Sequence, residues 1–151
     1  MPLSESLHIS ASGLTAERLR LDVISNNIAN ASTTRTASGQ PYRRQEVVFA
    51  ARESAPFASM LANARCGSKT CASGTGVNVV AVQPDMQHDF KNIYEPGHPD
   101  ADARGYVRMP NVEPITEMVD MISATRSYEA GVTAINSAKQ MEQKALEIGR
   151  S

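Results

Sequence analysis

The sequence predicts an α+β fold that is mainly α: a long helix at each end, the two pairing as a coiled-coil-like core around a small β-containing middle. Three observations predict it. Six of the eight prolines and six of the nine glycines fall between Gly39 and Pro110, so the chain breakers are concentrated in the middle. Both ends carry helical apolar periodicity, and the β-branched clusters lie between them.

The first helix is expected from Leu3 to the stretch Asn30 to Thr34, where Asn, Ser and Thr side chains compete for backbone hydrogen bonds. At 100° per residue, Leu3, Leu7, Leu14, Leu21, Ile24 and Ile28 share one face. Ile9, Ala16, Leu19 and Val23 share nearly the opposite one, with Ser4, His8, Thr15, Arg18, Asp22 and Asn26 in a gap between.

In the middle, Tyr42 to Phe49 and Gly76 to Val82 are the best strand candidates, and Ile93-Tyr94 and Gly105 to Met109 are weaker ones. Residues 50–75 are rich in Ala, Ser and Gly and read as a flexible insertion, with a short helical turn around Phe57 to Leu61.

The last helix is expected from Glu113 or Pro114, since proline suits the first helical position, to Ile148, with Gly149 as the stop. Its large-residue face is Ile115, Met118, Met121, Ile122, Tyr128, Val132, Ile135 and Leu146. A second, mostly small face is Val119, Ala130, Ala134, Ala138, Met141, Ala145 and Ile148. Gly13 and Gly131 are soft points, each costing its helix about 1 kcal/mol relative to alanine. The resulting organisation is 1–34, a first core helix; 35–112, the middle domain; and 113–151, a second core helix. A helix pair joining the two ends buries one stripe from each. The surplus stripes call for partners, so the chain reads as built for assembly.

Composition narrows the function. Fifteen basic and sixteen acidic residues in 151 leave no imbalance pointing to nucleic acid or an anionic membrane. No apolar run approaches the ~20 residues that span a bilayer, so direct membrane insertion is not expected. The start, Met1-Pro2-Leu3-Ser4-Glu5-Ser6, lacks the basic and apolar regions of a secretory signal peptide. With no Trp, three Phe and four Tyr but seven Met, the side chains suit long helix seams better than a globular core. Cys66 and Cys71 read first as incidental loop thiols and alternatively as a local disulfide in an oxidising compartment; no second Cys or His pair completes a metal site nearby.

Three strings carry a resemblance. Residues 9–31 read ISASGLTAERLRLDVISNNIANA, followed by Thr33-Thr34-Arg35-Thr36 and Pro41-Tyr42-Arg43-Arg44. Residues 94–112 read YEPGHPDADARGYVRMPNV, and 121–150 contain MISATRSYEAGV and end KALEIGR. Together they resemble the bacterial flagellar basal-body rod proteins, of the rod and hook axial family. That resemblance implies a structural subunit of the proximal rod, the drive shaft crossing the periplasm, with no cofactor and no catalysed reaction. It implies terminal helices that form the axial core, export through the flagellar type III apparatus without a cleaved signal, and partners among copies of itself, other rod proteins and the basal-body base. Departures from the family pattern are Ser32 and Gly131, where Asn is usual, and a long stretch from Arg52 to Thr75.

Within that frame the interface candidates are Leu7, Leu14, Leu21, Asn26, Asn27, Ile28, Asn30, Arg126, Tyr128, Ala130, Ala134 and Met141. Asn26, Asn27 and Asn30 read either as a fraying helix end or, as the resemblance favours, as amides that bond neighbouring subunits and fix stagger. Tyr128 is expected against the first helix, Arg126 toward a neighbour, and the alanines at a close helix approach. His98, Asp100 and Asp102, with His88 and Asp89 near in sequence, invite a metal or hydrolase reading. Pro96, Gly97 and Pro99 favour a rigid turn with locally bonded Asp instead. Two other functions compete with the axial subunit: a soluble helical adaptor or export chaperone, and a metal-dependent hydrolase using His98.

Overall fold

The computed structural model describes residues 3–52 and 75–149. Along the chain come α1 (Leu3–Ala29), β1 (Gln45–Ala51), β2 (Val77–Pro84), β3 (Lys91–Tyr94), β4 (Tyr106–Met109) and α2 (Pro114–Ile148). The expected α+β, mainly helical architecture is what forms. The insertion expected over 50–75, its helical turn and both cysteines lie almost wholly outside the described residues.

Local chemistry sets the helix limits. At the end of α1, Asn30 Nδ2 donates to the Asn26 carbonyl at 2.9 Å, and the Thr33 hydroxyl donates to Asn30 Oδ1 at 3.2 Å. These side chains take up carbonyls and turns that another helical residue would have used. Helix α2 starts with Glu113 as its cap, because the Glu117 amide already donates to the Glu113 carbonyl at 3.0 Å. Pro114 then fills the first position, where a missing N–H costs nothing. No helix among the described residues is long and apolar enough to cross a membrane.

Two small antiparallel sheets occupy the middle, β1 with β2 and β3 with β4. Half-buried and exposed residues alternate from Gln45 to Ala50, so Val47 and Phe49 face inward. In the second sheet Lys91 pairs with Met109, Asn92 with Arg108, Ile93 with Val107 and Tyr94 with Tyr106.

The chain divides into two compact units. One comprises residues 18–48 and 81–126. Its core is Val23, Ile24, Val107, Val112 and Ala124, mostly small β-branched or Ala side chains, as expected of a chain poor in aromatics. The other comprises 1–17, 49–80 and 127–151. There Leu14 lies across Gly131 so closely that a Cβ at that glycine would sit 2.8 Å from Leu14 Cδ2. Gly131, expected as a soft point, is therefore where the two helices approach. In the same unit the start of β2 rests on α1: Val77 donates its amide to Ser12 Oγ at 3.0 Å, and that hydroxyl donates to the Ile9 carbonyl at 2.7 Å.

Along α1, His8, Ala11, Thr15, Arg18, Asp22, Ser25, Asn26 and Ala29 are exposed, which takes in the polar gap read from the sequence from His8 onward. The expectation of a surplus apolar stripe on this helix does not hold. Ala16, Val23 and Ile24 are buried, and Leu7, Ile9, Leu14, Leu19, Leu21 and Ile28 are half-buried rather than exposed. Among the described residues, the large apolar side chains left exposed on helices belong to α2.

Gly76 adopts φ +118°, and a Cβ there would collide with the Ser12 side chain. Gly76→Ala should therefore lower unfolding free energy by about 2–3 kcal/mol, read from urea denaturation followed by circular dichroism.

Candidate functional site

Seen from α2, the half-buried and buried positions are Glu117, Asp120, Met121 and Ala124 in one unit and Tyr128, Gly131, Ile135 and Ala138 in the other. Asp120 aside, the spacing alternates four and three residues, as in the seam of a coiled coil. Tyr128, expected buried against the first helix, is half-buried. The large-residue face read from the sequence is split, however. Met121, Tyr128 and Ile135 turn into the seam, whereas Ile115, Met118 and Ile122 turn out and are 54 to 74% exposed. Val119 joins them at 60%, and this row points away from the seam. In the other unit Met141, Leu146 and Ile148 are exposed as well.

A carboxylate in a seam must be compensated. Glu117 and Asn27 are each only 1% exposed. Asn27 Nδ2 donates to Glu117 Oε2 at 3.0 Å and to the Gln45 carbonyl at 2.9 Å. Asn27 Oδ1 accepts from the Gln45 amide at 3.0 Å and from the Tyr42 hydroxyl at 3.0 Å. Every donor and lone pair of that amide is used. Arg44 completes the node: Nε donates to Glu117 Oε1, Nη2 reaches Asp120 Oδ2 at 3.3 Å, and Nη1 pairs with Glu46. Burial works against the Arg44 charge, but the hydrogen bond and charge of Glu117, then Glu46 and Asp120, outweigh it and raise its pKa. Burial, with Glu117 second, raises that of Tyr42.

Around this node Asn111 Oδ1 accepts the Arg44 amide at 2.8 Å, while its Nδ2 donates to the carbonyls of Asp85 and His88. Asp85 is buried in turn. Burial would raise its carboxyl, but the His88 ring and the amides of Gln87 and His88 hold it below the ordinary value.

Asn27 corrects an expectation. Read as an amide for a neighbouring subunit, it is fully engaged inside its own chain, because it shares the inward face with Val23 and Ile24. Leu14 is engaged with Gly131. Asn30 Nδ2 donates both to the Asn26 carbonyl and to Asn26 Oδ1. Leu7, Leu21 and Ile28 are half-buried; Arg126, Ala130, Ala134 and Met141 are exposed. Glu117, Arg44, Asp85 and Asn111 escaped sequence reasoning. The available signal was a glutamate at the seam spacing of Met121 and Ala124.

The His98 region is a turn. The His98 amide donates to the Glu95 carbonyl at 3.1 Å, Asp100 Oδ2 accepts the Thr34 hydroxyl at 2.8 Å, and the Asp100 amide donates to His98 Nδ1 at 3.1 Å. Among the described residues no three His, Cys, Asp or Glu side chains come together in a way that could hold a metal ion.

Comparison with known proteins fits this geometry to a class. Residues 7–35 match the family described as flagella basal body rod protein, and residues 103–148 match the flagellar basal body rod FlgEFG protein C-terminal family. The matched stretches hold most of the two helices, so the chain is of the flagellar basal-body rod class. It is 48% identical to the flagellar basal-body rod protein FlgC of Bacillus subtilis, over 99% of this chain and 100% of that one. Identity to the FlgC proteins of Escherichia coli O6:H1 and Salmonella typhimurium is 42% and 39%, each over 99% of this chain and all of the relative. The chain belongs to the FlgC family of flagellar basal-body rod proteins, the structural subunits of the rod. The adaptor or chaperone alternative is not favoured.

Asn27→Ala would strip partners from a buried carboxylate and from both polar groups of Gln45. It should cost about 2–4 kcal/mol by chemical denaturation. Asp85 has its pKa lowered by folding, so its contribution is present above the unfolded value and lost as pH falls through the folded one. The stability gap between the natural chain and Asp85→Asn should thus hold at neutral pH and shrink below about pH 4.

Proposed function

We propose that the chain is a subunit of the proximal rod in the periplasm, exported without cleavage through the flagellar type III apparatus, and that it polymerises through its terminal helices. Its partners are copies of itself, other rod proteins and the basal-body base. It carries no catalytic role. The middle segment, 35–112, serves as the outer part of the subunit.

One observation carries this reading. Helix α2 uses one face for the internal seam and leaves Ile115, Met118, Val119 and Ile122 facing water on the other. Each such side chain contributes about 1.5–3 kcal/mol when fully buried, so the row is a source of association energy that the lone chain does not use. In the other unit Ala130 and Ala134 are exposed along the same helix and allow a neighbouring backbone to come close, Met141 is exposed there too, and Arg126 is exposed in the unit that holds the row. Ordering of frayed helix ends, at ~1–2 kcal/mol per residue fixed, opposes this gain, so helicity should rise on association.

The test is substitution on the outward row. Ile115→Asp and Ile122→Asp should change the stability of the isolated chain by less than about 0.5 kcal/mol, since both side chains already meet water. The same variants should fail to enter basal bodies in cells lacking the natural copy, and should show no concentration-dependent gain in helicity. Normal incorporation of both would sink the proposal.

A further inference from the structure

We propose that Glu117 and Asp120 are the registration residues of α2: through Asn27 and Arg44 they fix how far α2 is staggered along α1, and without them the unit folds with more than one stagger.

The apolar part of this seam discriminates poorly. On α2 it consists of Met121 and Ala124, and on α1 of Val23 and Ile24. Apolar burial is non-directional, methionine adapts to irregular gaps, and alanine is small enough to face almost any neighbour. Within this unit, sliding α2 by one turn or one heptad exchanges one such contact for another of similar kind; the close approach of Leu14 to Gly131 belongs to the other unit.

The polar ties discriminate sharply. Asn27 Nδ2 meets Glu117 Oε2, Arg44 Nε meets Glu117 Oε1, and Arg44 Nη2 meets Asp120 Oδ2, so each donor has a named acceptor on α2. Asn27 also bonds the amide and carbonyl of Gln45, which makes α1 and the start of β1 one body against which α2 is positioned. A slip brings Asn27 opposite Met121 or Ala124 and leaves the buried Glu117 carboxylate without either donor. An unpaired buried charge is among the most costly states in a protein interior. Buried pairs are often near break-even for stability against apolar substitutes, and their best-attested use is to specify register. The inference rests on the geometry of one unit and holds whatever the chain assembles with.

The experiment uses the full chain with Cys66→Ser and Cys71→Ser, carrying nitroxide labels at Arg18→Cys and Thr116→Cys, both exposed and in the same unit. Pulsed electron paramagnetic resonance should give one distance population. Glu117→Leu/Asp120→Ser should retain reference helicity by circular dichroism but show added populations, displaced by up to about 10 Å for a heptad slip. Glu117→Gln alone, which keeps the shape, an acceptor for Asn27 and the Arg44–Asp120 tie while giving up the acceptor for Arg44 Nε, should keep the single population. One undisplaced population in the double variant overturns the proposal. Loss of helicity in the double variant overturns it too, since the residues would then hold the unit together rather than select its stagger.

Discussion

A carboxylate removed from water has to find compensation for each oxygen, and in this chain that requirement organises the unit around Glu117. One oxygen takes a guanidinium N–H from Arg44 and the other an amide N–H from Asn27. Because Arg44 adjoins Gln45, and Gln45 exchanges two backbone hydrogen bonds with Asn27, the start of the first strand is held by the same groups that compensate the charge. The path of the chain out of α1, the beginning of β1 and the first turn of α2 are therefore one problem with one solution. Asn111 extends it by capturing the Arg44 amide and tying in the segment around Asp85.

This arrangement compensates for an undersized apolar core. Val107, Val112, Val23, Ile24 and Ala124, with Pro41 and Pro110, are the buried apolar side chains of the unit, and none is aromatic. Small residues fill space but specify position weakly, since dispersion and burial have no preferred direction. Hydrogen bonds to fixed acceptors supply the missing specificity. The same economy of large side chains explains why the apolar residues on the outside of α2 stand out. They are larger than most of those buried, so their placement in water is a property of this surface rather than an overflow from a full interior.

Much of the fold is legible in the sequence, and the illegible parts have identifiable causes. Both helices are readable because Pro114 and the asparagines near residue 30 mark ends by local chemistry. The strands are readable because valines cluster between turn residues, with limits that move by one to three positions. The seam is harder. Met118, Met121, Ile122 and Ile115 fall on one broad face at 100° per residue. Only the four-three alternation through Glu117, Met121, Ala124, Tyr128 and Gly131 separates inside from outside, and two of those residues are not conventionally apolar. Asn27 misleads because its composition signals a helix end while its face, set by Val23 and Ile24, directs it inward. Its acceptor lies 90 residues on and its strand partner 18, and no local pattern encodes either distance.

The two faces of α2 divide two physical tasks between them. The inward face carries a charge, a tyrosine and a glycine, features that fix geometry at little gain in stability. The outward face carries isoleucines, a valine and a methionine, features that gain free energy on burial without fixing geometry. A subunit with the opposite assignment would fold firmly but associate through directional contacts, which water satisfies equally well before assembly. Placing the specific contacts inside leaves the outward face of α2 with apolar area that the lone chain does not bury, on a helix whose first turns are held in position by the chain's own polar contacts.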